Sequence, residues 1–177
     1  MNEPRIRAAT HADAQTIARI HVQAWVESYR GLVPDALIDA LCVDRNARMW
    51  ATMLACREPV VVQVAEAETG IVGFGSAGAA LSAALGTTAE VTAIYLLDRA
   101  KRRGIGRALF AALVRALAAR GHRSAGLWVL ANNQGSRRFY EALGGRAGET
   151  RVVNGTHGEM HEIAYVWDDL ARFSASG

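Results

Sequence analysis

A short basic stretch with two glycines, residues 101–107, combines residue types that suit a phosphate-bearing ligand. It follows an apolar run at 90–97 that is typical of a strand, and it opens a strongly periodic helix. The first backbone N–H groups of a helix have no partners inside the helix, and the helix dipole adds partial positive charge there. Glycine lets a ligand approach the backbone closely, and Lys101, the only lysine of the chain, adds charge. The stretch therefore predicts a pyrophosphate-binding turn at the start of a helix.

Two other phosphate-binding motifs do not fit this turn. A P-loop has the pattern Gly-x-x-x-x-Gly-Lys-Ser/Thr, and the chain contains no such sequence. A dinucleotide-binding fingerprint needs a third glycine, but that position holds Leu109. Neither a nucleoside triphosphate nor a dinucleotide is therefore the expected ligand.

Hydrophobic periodicity and breaker residues predict an alternation of strands and helices around this turn. The predicted strands lie at 6–8, 60–65, 71–76, 90–97, 125–130, 149–153 and 159–167, and the predicted helices at 10–30, 34–55 (with a bend near 42–44), 104–120 and 133–144. Thr10 and Asp13 have the spacing of a capping box at the first helix. Asn154 and Gly155 predict a tight turn between the last two strands.

The order β-α-α-β-β-β-α-β-α-β-β defines an α/β protein of the mixed α+β type. Strand–helix–strand crossings in the second half predict locally parallel strands, because such a crossing returns the chain in the same direction. Hairpins at both ends of the chain predict antiparallel strands. The expected sheet is therefore mixed.

The composition indicates a globular chain that forms one domain. The chain has 177 residues, of which 51% are hydrophobic and 21% charged, enough for a sizeable core. A net charge of +3 suits an anionic ligand but is too small to indicate nucleic acid. No apolar run approaches the roughly 18 residues of a membrane span, and charged residues near the N-terminus interrupt any signal-peptide core. We therefore expect a cytoplasmic protein with no nucleic-acid or membrane partner.

The two cysteines, Cys42 and Cys56, lack the close spacing of a zinc site or of a disulfide framework. No cluster of metal-ligating residues and no Cys/His or Ser/His nucleophile set is apparent in the sequence. We therefore expect no metal, and two buried thiols in a reducing compartment.

Two motifs in this order resemble the GNAT superfamily of acetyl-CoA-dependent N-acetyltransferases. The family's phosphate turn reads Gln/Arg-x-x-Gly-x-Gly/Ala, which residues 101–106 match except at Lys101. A second family pattern, Asn-x-x-Ala/Ser-x-x-Phe/Leu-Tyr followed by glycine, matches residues 133–144. The segment 94–96 matches the strand that pairs with the pantetheine arm, and residues 21–34 are similar to a common bacterial branch.

The resemblance covers nearly the whole chain and implies its fold. It implies a central, mostly antiparallel sheet of about seven strands with one splayed parallel pair, flanked by about four helices. The chain, 1–177, would be one domain with an acceptor-side part at about 1–88, an acetyl-CoA-binding core at about 89–145 and a C-terminal hairpin at about 146–170.

The implied cosubstrate is acetyl-CoA, and its binding residues fall on the two motifs. The backbone of Ile94, Tyr95 and Leu96 would pair with the pantetheine arm and hold the oxyanion. The other implied contacts lie in the turn and at the start of the next helix, namely Arg102, Arg103, Gly104, Ile105, Gly106, Arg107, Asn133 and Ser136. Arg137 and Arg138 are each as consistent with a contact to the 3′-phosphate as with a solvated face.

Acetyl transfer to an amine needs an acid for the thiolate that leaves and a base for the ammonium that arrives. Tyr140 matches the family's general acid, and Glu90 matches a glutamate that some members use as base. Some ribosomal-protein acetyltransferases carry their base where this chain has Trp128, so their scheme does not transfer. The remaining candidate bases lie near the last hairpin: His157, Glu159, His161 and Glu162.

The acceptor side carries weaker signals. Tyr29 and Arg30 are candidate acceptor-binding residues, because the first inter-helix loop covers the acceptor cleft in this fold. The expected acceptor is a small-molecule or peptide amine, and the sequence does not distinguish among amino acids, antibiotics, polyamines and protein N-termini. The sequence is also compatible with a homodimer. Two rival functions stand beside direct transfer in a ternary complex: a non-catalytic acyl-CoA-binding or regulatory module, and an interaction protein that binds nucleic acid through its basic face.

Overall fold

The computed structural model describes residues 4–56, 60–155 and 158–173. Its α-helices are α1 (Ala14–Tyr29), α2 (Asp35–Asp39), α3 (Val43–Ala55), α4 (Ile105–Ala119) and α5 (Gln134–Ala142). Its strands are β1 (Arg5–Ala8), β2 (Val61–Ala67), β3 (Gly70–Ala79), β4 (Ala89–Leu96), β5 (Ala125–Leu130), β6 (Arg146–Gly155) and β7 (Gly158–Trp167).

Seven strands of the described residues form one sheet in the order β1-β2-β3-β4-β5-β7-β6. Every neighbouring pair is antiparallel except β4 and β5, which run parallel. The parallel pair arises because α4 carries the chain back between these two strands. The predicted mixed, mostly antiparallel sheet of about seven strands is confirmed.

The described residues contain five α-helices, one more than the sequence predicts. The region predicted as one bent helix at 34–55 consists of α2 and α3, because Cys42 between them takes an extended backbone with φ −132° and ψ 119°. The short α2 is held by its apolar side, where Ile38 packs with Val33 and Leu130. None of these helices is long and apolar enough to cross a membrane.

The residues predicted to form the turn of the last hairpin belong to a strand instead. Asn154 and Gly155 are the final residues of β6, where they pair with Glu159 and Gly158 of β7. The pairing of Val153 with Met160 sets a register that carries both strands past the Asn-Gly pair. Residues 156–157, which lie between the two strands, are outside the described residues.

Helices cover both faces of the sheet and hold β4 and β5 in place. On one face the apolar stripe of α4 packs on β4, β5 and β7 and is fully buried at Phe110, Leu113 and Leu117. On the other face α1 and α3 bury Ile17 and Trp50 against β2 and β3. Burying each such large apolar side chain stabilises the fold by about 1.5–3 kcal/mol.

A small ionic cluster fastens the start of α1 to the edge of the sheet. Arg7 of β1 donates to both carboxylate oxygens of Asp13, at 2.8 and 3.0 Å, and to Glu66 of β2 at 3.0 Å. Asp13 also accepts from the Thr10 N–H at 2.7 Å, which completes the predicted capping box. Hydrogen bonding from the Arg7 guanidinium is the main reason that the pKa of Asp13 falls to about 2.

We expect Asp13→Asn to lower the free energy of unfolding by about 2 kcal/mol at pH 7, because a one-unit difference between the folded and unfolded pKa is worth about 1.4 kcal/mol. A carboxyl whose pKa is lowered on folding contributes this stability above its unfolded pKa, near 3.8, and loses it as the pH falls toward 2. Urea unfolding of both proteins at pH 7 and pH 3 measures the effect. An equal difference at the two pH values would contradict the ionic explanation.

Candidate active site

The parallel strands β4 and β5 separate soon after they pair. Among the described residues their ladder joins Ala89 to Ala125 and Glu90 to Gly126, and it stops there. Beyond Glu90 the edge of β4 that faces β5 has no strand partner, so an extended ligand can bind its N–H and C=O groups as a strand would. A cavity of about 850 Å³ occupies this gap and continues to the start of α4.

This cavity brings together most of the residues that the resemblance implies. Its lining includes Tyr29, Ile94, Tyr95, Leu96, Arg102, Gly104, Gly106, Arg107, Asn133, Ser136 and Tyr140. Four other predicted residues lie outside the lining, namely Arg30, Glu90, Arg103 and Ile105.

A β-bulge in β4, against β3, lies just beyond the point where β4 separates from β5. Ser76 of β3 pairs with Ala93 and Ala77 pairs with Val91, so Thr92 has no residue opposite it. The Thr92 hydroxyl lies 2.7 Å from the hydroxyl of Ser76, a buried residue, and this contact fixes the bulge. A bulge bends a strand and re-aims its groups, and Thr92 and Ala93 both line the cavity.

The turn before α4 has the geometry of an anion site. Arg102 and Gly104 both take a left-handed backbone, with φ of 60° and 79°. Ala108 donates to the Gly104 carbonyl, so the N–H groups at 105–107 lie in the first turn and point out of the end of the helix. A Cβ on Gly104 would meet no atom within 4 Å, so this side of the turn is open space. Amides arranged in this way form a concave nest for an anion.

Lys101 ties this turn to the end of α1. Its ammonium pairs with Asp98 at 2.6 Å and donates to the Ser28 hydroxyl at 3.0 Å. Close by, the Asp98 N–H donates to the Glu27 carboxylate at 2.8 Å. The last turn of α1 and the anion-binding turn are therefore held as one unit.

The other predicted residues of the turn differ in what their side chains can contribute. Arg102 lines the cavity, and Arg107, which also lines it, donates to the Ala142 carbonyl at 3.2 Å. Arg103 is exposed outside the cavity, and the Ile105 side chain is buried in the core. At 103 and 105 only the backbone can therefore serve a ligand of the cavity.

The start of α5 is built around Asn133. Its side-chain oxygen accepts from the Ser136 N–H at 3.0 Å, which caps the helix as predicted. A Cβ on Gly106 would lie 3.1 Å from the Phe139 ring, so glycine at 106 allows α5 to approach the start of α4 closely. Asn133 and Ser136 consequently line the cavity beside the turn.

The two arginines of α5 have different environments. Arg137 donates to the Ala131 carbonyl at 3.1 Å and to the Tyr165 hydroxyl at 3.3 Å, which fixes the helix to the sheet. Arg138 lines the cavity. Of the two, Arg138 is the one placed to meet a phosphate.

Three tyrosines from three elements line the cavity: Tyr29 of α1, Tyr95 of β4 and Tyr140 of α5. Burial raises the pKa of each phenol, and the neighbouring Tyr29 adds to the effect at Tyr140. All three are therefore protonated at neutral pH. The Tyr140 ring packs edge-on against Phe139 and Trp167, with centroids 5.1 and 6.2 Å apart, so the core holds it in place.

His21 and Trp25 of α1 are packing residues beside the cavity. The His21 ring stacks on Tyr95 with centroids 5.1 Å apart, and it accepts from the Trp50 indole N–H at 3.3 Å. Burial lowers the pKa of His21 to about 4, so it is neutral at pH 7. Trp25 packs on Tyr29 with centroids 4.6 Å apart and so helps to position it.

Glu90, the predicted base, lies at the last rung of the β4–β5 ladder, opposite Gly126. Its Oε2 accepts from the Leu81 N–H at 3.1 Å, and its neighbours along β4 line the cavity. Paired residues share a face of the sheet and side chains alternate along a strand. Glu90 therefore points to the same face as Trp128 and Leu130 of β5, which we call the acceptor face.

The remaining predicted acceptor residue and bases are distributed as follows. Arg30 pairs with Asp35 and Asp39 of α2, at 3.3 and 3.5 Å, and is half exposed, so it does not join Tyr29 in the cavity. Glu159 and His161 pair with each other at 3.2 Å on the exposed hairpin. His157 lies outside the described residues. Glu162 pairs with Arg151 at 2.7 Å, and its charge contributes to the raised pKa of Tyr29.

Several residues of the site carry no signal that sequence reasoning could use. Tertiary contacts of α1 bring Glu27 and Ser28 to the cavity, and the bulge in β4 brings Thr92 there. No local sequence pattern predicts either feature. Trp128 also lines it, and its indole N–H is buried without a hydrogen-bond partner among the described residues.

In the described part of the chain, no group of three or more His, Cys, Asp or Glu side chains could hold a metal ion. Cys42 and Cys56 are free but exposed, so the expectation of buried thiols is wrong. They flank the two ends of α3, where neither falls on the face that packs against α1.

A gap in a parallel strand pair that leads to the open start of a helix is the arrangement that the resemblance to acetyltransferases implies. Residues 22–145 match the model of the acetyltransferase (GNAT) family, and the chain belongs to that family. It is 32% identical over 169 residues to the uncharacterized N-acetyltransferase YuaI of Bacillus subtilis (strain 168), with 94% of each chain covered.

Solved structures share the fold. PaiA N-acetyltransferase from Thermoplasma acidophilum, in complex with coenzyme A, is 16% identical with a TM-score of 0.67, covering 92% of this chain and 98% of that one. YncA from Salmonella typhimurium, solved with its cofactor acetyl-CoA, is 18% identical with a TM-score of 0.70 and 94% coverage of both. The ribosomal-protein-alanine N-acetyltransferase from Brucella melitensis is 24% identical with a TM-score of 0.74, covering 93% and 99%.

Proposed function

We propose that this protein transfers the acetyl group of acetyl-CoA to a primary amine, directly, in a ternary complex. The observation that carries the proposal is one cavity that joins the amide-rich turn before α4, the open edge of β4 and the Tyr140 side chain. Its volume of about 850 Å³ lies within the range of small-molecule and cofactor sites.

The residues along the cavity fit the parts of acetyl-CoA in order. The N–H groups at 105–107, with Arg102 beside them, suit the pyrophosphate, and Arg138 suits the 3′-phosphate. The free edge of β4 at Ile94–Leu96 suits the amides of the pantetheine arm. Relatives of the same fold were solved with coenzyme A and with acetyl-CoA. The proposal places the protein in the cytoplasm, where exposed thiols such as those of Cys42 and Cys56 stay reduced.

Glu90, Tyr140 and the backbone of β4 divide the chemistry between them. Glu90 takes a proton from the incoming ammonium through water, since its carboxylate lies on the acceptor face at the last rung of the ladder, where the gap begins. The amine nitrogen then bonds to the thioester carbonyl carbon as the C–S bond breaks, and N–H groups at Ile94–Leu96 hold the oxyanion. Tyr140 gives its proton to the thiolate that leaves, and its phenolate regains one through water from the attacking nitrogen, which loses its second proton as the neutral amide forms.

A screen of acetyl-CoA with an amine library tests the function, with thiol release and product mass as readouts. Continuous thiol release with an acetylated amine is the expected result. Acetyl-CoA binding in calorimetry without turnover of any amine would favour a non-catalytic acyl-CoA-binding module. Absence of any binding heat would contradict both the acetyltransferase and the non-catalytic acyl-CoA-binding function.

Glu90→Gln is expected to lower kcat/KM at neutral pH by about a hundredfold and to change the acidic limb of the pH–rate profile. The rate should recover toward pH 10, where a primary amine loses its proton unaided. Glu159→Gln, on the exposed hairpin, is the control and should leave the profile unchanged. An unaltered profile in Glu90→Gln, with a changed one in Glu162→Gln, would move the base to Glu162.

A further inference from the structure

Arg151 on the acceptor face presents a free hydrogen-bonding edge. Its guanidinium lies over Trp128, 4.0 Å from the ring centroid, and its Nε donates to Glu162 at 2.7 Å. The described residues provide no acceptor for its two Nη groups, and the side chain is 37% exposed. Two contacts of different kinds, the stacking on Trp128 and the ion pair with Glu162, thus fix this arginine while its outer edge stays open.

The strand register places this edge next to the gap. Arg151 of β6 is opposite Glu162 of β7, and Glu162 is opposite Leu130 of β5, so all three lie on the acceptor face with Trp128. Trp128 lines the cavity, and the charge of Glu162 is felt by Tyr29, which also lines it. The guanidinium is therefore one aromatic ring away from the space where the acceptor amine must sit.

The arrangement selects for an anion of a particular shape. A guanidinium offers a planar fork of donors that matches a carboxylate in two parallel hydrogen bonds. Stacking on an indole and a bond through Nε hold the fork in one orientation, so little side-chain freedom is lost when an anion binds. Glu162 occupies only the Nε side, which leaves the outer donors for a second carboxylate.

We propose that Arg151 binds a carboxylate of the acceptor, and that the amine acetylated by this enzyme is a small amino acid. The inference rests on the proposed acetyl transfer. A small amino acid carries both groups that this site would recognise, an amine for the gap and a carboxylate for the Trp128-stacked fork. A polyamine has no group for this fork, and the carboxylate of a long peptide lies far from its N-terminal amine.

The test compares L-amino acids with their α-carboxamides, and with putrescine and spermidine, as acceptors in the thiol-release assay. We expect amino acids to exceed their carboxamides in kcat/KM by about tenfold to a hundredfold, since one charge-assisted pair is at stake. The difference should reside mainly in KM, because the carboxylate is held equally before and during the reaction.

Two substitutions assign this preference to the arginine. Arg151→Gln should reduce the amino-acid to carboxamide ratio to near one, and Arg151→Lys, which keeps the charge but loses the fork, should retain part of it. Arg146→Gln is the matched control, because Arg146 forms an exposed pair with Asp168 at 3.2 Å on the same hairpin. Its ratio should equal that of the unsubstituted protein.

The outcomes separate this inference from the proposed function. Turnover of polyamines or carboxamides in preference to amino acids would overturn the role of Arg151 and leave acetyl transfer standing. An amino-acid preference that persists in both Arg151 variants would also overturn it. Failure of the unsubstituted protein to bind acetyl-CoA would overturn both the role of Arg151 and the proposed acetyl transfer. If Arg151→Gln fails to fold, the amino-acid to carboxamide ratio of Arg151→Lys decides alone: a lowered ratio supports the role of Arg151, and an unchanged ratio contradicts it.

Discussion

Replacing Tyr140 by phenylalanine is expected to lower kcat for acetyl transfer by about a hundredfold or more, with little change in acetyl-CoA affinity. The substitution removes only the hydroxyl, and the ring contacts with Phe139 and Trp167 remain. Rapid-quench or steady-state kinetics give kcat, and calorimetry gives the dissociation constant for acetyl-CoA.

The physical reason lies in the proton that the thiolate must receive. Burial raises the pKa of Tyr140, so the phenol keeps its proton across the working pH range and has it available when the C–S bond breaks. No change of the acidic limb is expected from this group, because that limb belongs to the base. A large loss of acetyl-CoA affinity with kcat unchanged would contradict the acid role.

Tyr165→Phe is a matched control for this experiment. Tyr165 is fully buried, and its hydroxyl donates to Glu141 at 2.6 Å and accepts from Arg137 at 3.3 Å, away from the cavity lining. Losing that hydroxyl should lower stability by about 1–3 kcal/mol, because it removes hydrogen bonds to two charged side chains, the half-buried Arg137 and the exposed Glu141. Its kcat should stay close to that of the unsubstituted enzyme, which separates a structural phenol from a catalytic one.

Local patterns were sufficient for the elements to which we assign the coenzyme. The stripe of α4 is periodic and ends at glycines, and the Asn133 cap is encoded within three residues, so both are readable from the sequence. The anion-binding turn is equally local, since positive φ at Gly104 and the free amides of a helix start follow from the same few residues. These features need no knowledge of distant contacts.

The acceptor side depends on long-range register and could not be read in the same way. The bulge at Thr92 exists because Ser76 on another strand holds it, and the fork of Arg151 exists because β6 and β7 pair in one register. Asn154 and Gly155 show the same point, since cross-strand pairing with β7 places these turn-favouring residues inside β6. Side chains positioned by three strands carry no signature in any one of them.

The structure also joins the two halves of the site mechanically. Lys101 donates to Ser28 and the Asp98 N–H donates to Glu27, so the last turn of α1 is attached to the turn that we propose as the pyrophosphate site. The next residue along α1 is Tyr29, which lines the cavity and feels the charge of Glu162. The end of α1 thereby connects the anion site to Tyr29, which forms part of the wall of the acceptor space.

Substituting Gly104 by aspartate is expected to raise the dissociation constant for acetyl-CoA by about a hundredfold or more. The new side chain would enter the open space beside the turn and set a negative charge against the pyrophosphate. Two unit charges about 4 Å apart repel by about 4 kcal/mol at an effective dielectric constant of 20. Calorimetry with acetyl-CoA measures the change, and unchanged affinity would remove this turn as the phosphate site.

Two further variants separate charge from backbone strain. A side chain at φ 79° costs about 1–2 kcal/mol in the left-handed region, which asparagine tolerates better than most residues. Gly104→Asn should therefore keep more of the affinity than Gly104→Asp, although the two side chains are nearly equal in size. Gly121→Asp imposes similar strain, at φ 89°, beyond the far end of the 15-residue α4, about 22 Å away. That variant should lose stability but bind acetyl-CoA normally, because its charge lies where no phosphate is expected.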